Sequence, residues 1–255
     1  MRISVVTVCC NAAATIEDTV RSVADQTYPD VEHIVIDGAS TDGTSDIIGK
    51  FESNITKWVS EPDQGIYDAM NKGIALASGD VVGFLNADDI YAHPEVLAEV
   101  AQALGDESIQ AVYGDVVFVR DDLHTIVRYY RSHRFTAGKL AWGWMPPHPS
   151  IFIRKHMFDK YGLFKTNYRI AADYELVTRL FARHKMLSRY MPGVSVKMRV
   201  GGVSTRSVKS NYILSQEIVR ACRENGINTN LIKVSLKYPF KMMELIFRPS
   251  KSSEI

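Results

Sequence analysis

The sequence predicts an α/β fold, a mostly parallel central sheet flanked by helices, with a helical C-terminal extension. Three observations carry this. Short aliphatic or β-branched runs alternate with helix-spaced apolar patterns through the first hundred residues. The runs are near-continuously apolar, as expected for strands covered on both faces. Several end in Asp- and Gly-bearing turns, and open α/β sheets bind ligands at the carboxyl ends of their strands.

Taken in order, Ile3 to Cys9 reads as a strand and Ala13 to Ala24 as a helix, with Ile16, Val20 and Val23 on one face. Val31 to Ile36 is a second strand, Thr44 to Phe51 a short helix and Thr56 to Ser60 a short strand. Tyr67 to Ala77 is helical, and Asp80 to Leu85 is a strand. Pro94 to Leu104 is a helix whose proline suits a first turn. Ala111 to Arg120 and Thr125 to Tyr130 read as strands around Asp121-Asp122. Residues 132–150, rich in Trp, Pro, Gly and His, read as an active-site loop that leads into an apolar strand. Ala171 to His184 is helical, Met186 to Met198 strand-like, and the segment from Ser207 mostly helical. These elements suggest a catalytic domain over residues 1–205, with halves at 1–105 and 106–205, and an extension over 206–255.

A chain of 255 residues suits one large domain or one domain with an appendage. Its 30 basic side chains nearly balance 29 acidic ones, which argues against nucleic-acid binding, where a clustered basic excess is expected. Cys9, Cys10 and Cys222 show no metal-ligand spacing and read as reduced thiols, which favours a cytoplasmic location. Met1-Arg2-Ile3-Ser4 runs straight into a strand without the pattern of a secretory signal, and no run of about 18 apolar residues exists.

Two strand ends concentrate the chemistry. The first is followed by Asp37-Gly38-Ala39-Ser40-Thr41-Asp42-Gly43-Thr44, which places a carboxylate at the ligand edge and a Thr where it can cap the next helix. A plain strand–turn–helix connection is the alternative. The second ends in Asn86-Ala87-Asp88-Asp89, where adjacent carboxylates repel one another unless a cation neutralises them. Hard oxygen ligands suit Mg²⁺ or Mn²⁺ bridging a diphosphate, and a solvated N-cap turn is the alternative.

With Ser60-Glu61-Pro62-Asp63-Gln64-Gly65-Ile66-Tyr67-Asp68-Ala69-Met70-Asn71-Lys72-Gly73-Ile74 between these turns, and Gly201-Gly202-Val203-Ser204-Thr205 later, the chain resembles the family 2 glycosyltransferases over residues 2–206. Within them it is most similar to the exopolysaccharide and colanic-acid biosynthesis type. The resemblance implies the GT-A version of the α/β fold and sugar transfer from a nucleotide-diphosphate donor, UDP-linked by default. It implies nucleoside contacts at Thr7 and Asp37, metal binding at Asp88 with Asp89 beside it, and a catalytic base at Asp173, with Glu175 as the neighbouring candidate and a carboxylate that only favours the helix dipole as the structural alternative for Asp173. Asn86 departs from the pattern, which often has Asp there; an amide still bonds ribose but adds no charge. Tyr190-Met191-Pro192 stands in place of the Q-x-x-R-W motif of processive relatives, which suggests single-sugar transfer. Inversion at the anomeric carbon requires a base for the acceptor hydroxyl, which a carboxylate supplies.

Other candidates have structural alternatives of equal weight. Asp63 contacts donor or closes a turn. Trp142 and Trp144 stack on a sugar or pack in the core. His148 lines the acceptor or phosphate site or is structural, and Arg206 closes over phosphates or lies in a linker. Asp68 and Lys72 are spaced for a helical surface pair. Lys233, Lys237 and Lys241, beside the stripe Ile232, Leu236, Phe240, Met243 and Phe247, form a basic amphipathic pattern interrupted by Pro239. Such a pattern suits an anionic membrane surface at the inner face, the catalytic domain or a second subunit. Competing functions are a decayed nucleotide-sugar-binding protein, which only Asn86 supports, and another nucleotide-using α/β enzyme. The missing G-x-G-x-x-G and G-x-x-x-x-G-K-[ST] patterns argue against the latter.

Overall fold

β-Branched residues dominate the strands at the centre of the molecule, where each is buried on both faces. The computed structural model describes residues 1–201 and 208–236, with side chains resuming at 210. β1 (Ile3–Cys9) pairs in parallel with β2 (Val31–Asp37) and β4 (Val81–Phe84), and β2 with β3 (Lys57–Ser60). β8 (Ile151–Arg154) runs antiparallel between β4 and β6 (Ala111–Val119). β9 (Ser188–Arg199) is parallel to β6 on its other side. β5 (Asp89–Tyr91) closes the far edge against β9, and β7 (Ile126–Tyr130) pairs with the distal half of β6. The nine-stranded sheet has the order β3-β2-β1-β4-β8-β6-β9-β5. β1, β2, β3, β4, β6 and β9 point one way, so the sheet is mostly parallel, as the sequence predicts.

Helices cover both faces. α1 (Ile16–Ala24) and α2 (Thr44–Gly49) bury Ile16, Val20 and Ile48 on Val35 and Cys9. α4 (Val96–Ala103) covers Val112, Val116 and Phe152. On the opposite face α3 (Ile66–Leu76), α5 (His156–Tyr161) and α6 (Ala172–Val177) share one large cluster, α6 continuing into a π-helical turn at Thr178–Arg183. α7 (Val208–Glu224) contributes Ile218, Val219, Ala221 and Cys222 to this cluster, and α8 (Leu231–Ser235) contributes Val234. The boundary expected at 205/206 falls in the undescribed stretch, and α7 beyond it packs into the same core.

Two expectations about helix starts are corrected. Pro94 does not open α4, which begins at Val96 after Glu95, because the Pro94 carbonyl instead accepts from Thr27. Thr44 does not cap α2; Gly43 occupies that position at φ 92°. Asp42 serves in its place, its Oδ1 accepting from Thr44 N at 3.1 Å.

α3 lies very close to β1. A Cβ added at Gly73 would sit 2.3 Å from Val6 Cγ1. Gly73→Ala gains up to about 1 kcal/mol of helix propensity and forces overpacking of roughly 1–3 kcal/mol. The second effect wins, so the variant is expected to show a lower urea midpoint at unchanged m-value.

Candidate active site

The carboxyl edges of β1, β2 and β4 carry the loops that hold the polar residues. Asp37 ends β2 opposite Cys9 and is fully buried. Its Oδ2 accepts from Ser40 N at 3.1 Å, Ser45 Oγ at 3.2 Å and Ser60 Oγ at 2.6 Å. Its Oδ1 accepts from Ser40 Oγ and, at 3.5 Å, from Cys9 Sγ. Burial pushes the carboxyl pKa up, but the donors from Ser40 and Ser60 outweigh it and the net shift is downward. The carboxylate is therefore ionised and saturated, and it organises the turn. The same turn is zipped to the loop after β1: Asn11 N donates to Ser40 Oγ at 2.7 Å, Ala12 N to Thr44 Oγ1 at 2.8 Å and Ala13 N to Asp42 Oδ2 at 3.0 Å.

Thr7 is corrected. It is fully buried in β1 and its hydroxyl bonds His33 Nε2 at 3.0 Å, because Val5, Thr7 and Cys9 share the face turned to α1 and α2. Asp63 does close a turn, accepting from Gly65 N at 2.8 Å. It also meets the β2 turn: a Cβ at Gly38 would sit 2.5 Å from Asp63 Oδ2. Glycine at 38 thus lets two segments distant in sequence come together beside the exposed Cys10.

The acidic pair divides. Asp89 starts β5 and is 2% exposed, its Oδ2 accepting from Asn86 Nδ2 at 3.1 Å. Burial and then the neighbouring Asp88 push its pKa well up. Asp88 is half-buried and remains at the rim. The buried Arg199, missed in the sequence, donates to the Asp88 carbonyl at 3.1 Å and pairs with Asp18 at 2.5 Å, which fixes the turn from behind. Among the described residues no group of three or more His, Cys, Asp or Glu converges on one point. Asn86 Oδ1 is buried with no hydrogen-bond partner. One rim carboxylate and one unsatisfied amide oxygen fit a Mg²⁺ or Mn²⁺ ion shared with a diphosphate, since such ions keep few protein ligands.

Asp173 lies in the first turn of α6. Its Oδ1 accepts from Tyr174 N at 2.7 Å and lies 3.5 Å from the Tyr67 hydroxyl, which donates to Ile170 O at 2.5 Å. Burial pushes the carboxyl up to about 6, against the lowering hydrogen bonds from Tyr174 and Tyr67. Glu175 is eliminated as the alternative: fully buried, it faces away and pairs with Lys165 at 2.9 Å and Arg179 at 3.1 Å. Gly38 meets Asp63 just before α3, and Tyr67 in the first turn of α3 meets Asp173. A cavity of about 360 Å³ opens beside Tyr67, walled by Gln64, Asp68 and Thr166 to Arg169.

The remaining candidates disperse. His148 is 8% exposed, stacks on Phe84 at 5.0 Å and is pushed down to about 4 by burial, so it is a neutral residue packed in the core. Trp144 packs against Tyr130, whereas Trp142 is 43% exposed with Lys233 Nζ 5.7 Å from its ring centre. Lys72 bonds Glu61 at 2.8 Å and Asp68 at 3.6 Å, as its spacing predicts. Arg206, Lys237, Lys241 and the stripe beyond Leu236 lie outside the described residues. No described helix is long and apolar enough to cross a membrane.

A carboxyl whose folded pKa stands near 6 against an ordinary 3.8 destabilises the fold once ionised. The stability is whole below pH 3.8 and declines as pH rises through about 6. Asp173→Asn removes that loss. In urea melts the variant is expected to be close to wild type at pH 4 and to exceed it by on the order of 3 kcal/mol at pH 8.

Known proteins resemble this arrangement. A PGL/p-HBAD biosynthesis glycosyltransferase of Mycobacterium bovis is 33% identical over 208 residues, covering 80% of this chain and 79% of that protein. The putative teichuronic acid biosynthesis glycosyltransferase TuaG of Bacillus subtilis is 43% identical over 90 residues, 34% of this chain and 36% of that protein. Among solved structures, S. aureus TarS 1-349 in complex with UDP-GlcNAc superposes with a TM-score of 0.68 at 17% identity, over 98% of this chain and 74% of that one. The mannosyltransferase PcManGT of Pyrobaculum calidifontis, in complex with GDP-Man and Mn²⁺, gives 0.68 at 21% identity, over 96% and 73%. These likenesses show the GT-A fold. The family model for glycosyl transferase family 2 matches residues 4–167, more than half of the chain, and with the relatives above it makes this protein a glycosyltransferase of that family.

Proposed function

We propose that the protein is an inverting, non-processive transferase that moves a sugar from a nucleoside-diphosphate donor, UDP-linked by default, to a hydroxyl of a saccharide or lipid-linked saccharide. The observation that carries this reading is Asp173, a rim carboxylate with its pKa raised to about 6 and its orientation held by Tyr174 N–H and Tyr67. A base poised near neutrality takes the proton of an attacking hydroxyl and remains ionised at pH 7. The family relatives, named for PGL/p-HBAD and teichuronic acid biosynthesis, support glycosyl transfer without favouring the exopolysaccharide or colanic-acid type.

In this reading the turn organised by Asp37, together with Asp63, holds the nucleoside, and Asn86 and Asp88 lie toward the diphosphate. Asp88 and the unsatisfied Asn86 Oδ1 would hold a divalent cation, Mn²⁺ or Mg²⁺, which when bound offsets the charge of the departing diphosphate. The acceptor oxygen attacks the anomeric carbon from the face opposite the diphosphate. Asp173 takes its proton, the bond from that carbon to the diphosphate oxygen breaks, and the nucleoside diphosphate leaves. The Trp142 face and the cavity beside Tyr67 are the surfaces open to an acceptor.

Release of UDP from UDP-sugars tests the reading. Asp173→Asn is expected to lower kcat by about 10²–10⁴-fold with the Kd for UDP and Mn²⁺ unchanged; normal turnover would rule out the base. The wild-type rate should rise with pH through about 6 and then level. Asp88→Ala should weaken UDP binding in Mn²⁺ while sparing the metal-free value, and equal losses in both conditions would remove the cation role.

A further inference from the structure

The polypeptide just before Asp173 is bonded to a residue from a distant helix. Glu217, half-buried in α7, accepts three consecutive backbone N–H groups: Arg169 N on Oε1 at 2.7 Å, and Ile170 N and Ala171 N on Oε2 at 2.9 Å each. These amides precede α6 and belong to no strand or helix, so a side chain must satisfy them. From the other side Tyr67 donates to Ile170 O at 2.5 Å, and Ala171 O accepts from Glu175 N at 3.0 Å to begin α6. The peptide units around Ile170 are thus bonded on both faces, and Asp173 projects from the turn that follows them.

α7 is itself firmly seated. Ile218, Val219, Ala221 and Cys222 are buried in the main core. Two helical turns beyond Glu217, Glu224 accepts from Lys165 Nζ at 2.8 Å and Tyr168 OH at 3.0 Å. One face of α7 therefore grips residues 165–171 at two points with two carboxylates. The segment matched by the family model ends at residue 167, so this grip comes from outside it.

We propose that Glu217 is a positioning residue for the general base: through its carboxylate, α7 sets the backbone from which Asp173 projects. The proposal rests on Asp173 being the base and deepens that reading. The titratable groups acting on Asp173 from packed elements are Tyr67 of α3 and Glu217 of α7, and the Glu217 charge acts to raise the Asp173 pKa. Glu217 thereby influences the base twice, through geometry and through charge.

The test compares full-length wild type with E217A, E217Q and D173N. The Asp173 carboxyl is titrated by ¹³C NMR, with D173N assigning its resonance. Both Glu217 variants are expected to titrate at lower pH than wild type, and E217A is expected to accelerate hydrogen exchange at the amides of 169–171. In the UDP-release assay E217A should lose about 10- to 100-fold in kcat with the Kd for UDP and Mn²⁺ unchanged. E217Q, which keeps one accepting oxygen, should fall between E217A and wild type. If E217A does not fold, the E217Q titration and kcat decide alone. Wild-type titration and wild-type kcat in E217Q and E217A overturn the proposal and leave the base assignment intact. Normal turnover in D173N instead removes the base assignment, whatever the titrations show.

Discussion

A carboxylate buried without a cation beside it must be held by neutral donors, and Asp37 is where that requirement shapes the ends of the parallel strands. Its five donor contacts come from Cys9, Ser40, Ser45 and Ser60, which belong to β1, the turn after β2, α2 and β3. Losing these donors would leave an uncompensated charge in the interior, far costlier than the net worth of any one hydrogen bond. Three parallel strand ends are thereby tied at one height, and the loop after β1 follows through Ser40 and Thr44. Ala39 sits at φ 55°, a left-handed conformation unusual for a residue with a Cβ, and the Asp37–Ser40 contacts hold it there.

The other carboxyls at this edge show how environment divides one chemistry into several tasks. Asp37 has enough donors to remain a structural anion. Asp89 has burial and a like charge, so its proton is favoured. Glu175, as fully enclosed as Asp37, is held by Lys165, Arg179 and Asn225 and ties α6 to its surroundings. Asp173 has partial burial and few donors, which leaves it near neutrality. In the proposed reading Asp173 is the base, since Glu175 is already engaged by Lys165 and Arg179.

Much of this was legible in the sequence because strands and their ends are local features. β1, β2 and β4 read from unbroken aliphatic runs, and Asp37, Asp88 and Asp173 stood at element ends where the chain turns toward the cleft. What escaped depends on which way a side chain faces after the sheet has formed. Thr7 is one of several β1 residues of similar character, and only strand register turns it to α1. Asp88 and Asp89 are indistinguishable as letters, and pairing of β5 with β9 buries the second. β5 itself has three residues, too few for any period, and α5 is scarcely longer. Arg199 and Glu217 were silent because each acts on backbone atoms far away in sequence, and backbone acceptors and donors leave no residue-type signature.

The position of α7 bears on how the base half is built. Strand pairing sets the donor turns, because backbone hydrogen bonds along β1, β2 and β4 fix the height of each strand end. No strand reaches Asp173. Its surroundings are helix termini and a loop, which lack a ladder to set their spacing, and side chains have to supply it. Tyr67 and Glu217 do so from opposite sides, and the apolar residues of α7 make that arrangement inseparable from the core. Removing the helix would uncover the part of α6 it packs on and release the amides before α6 together. Stability and the geometry around Asp173 therefore share one set of contacts, whereas around Asp37 strand pairing and side-chain donors act together.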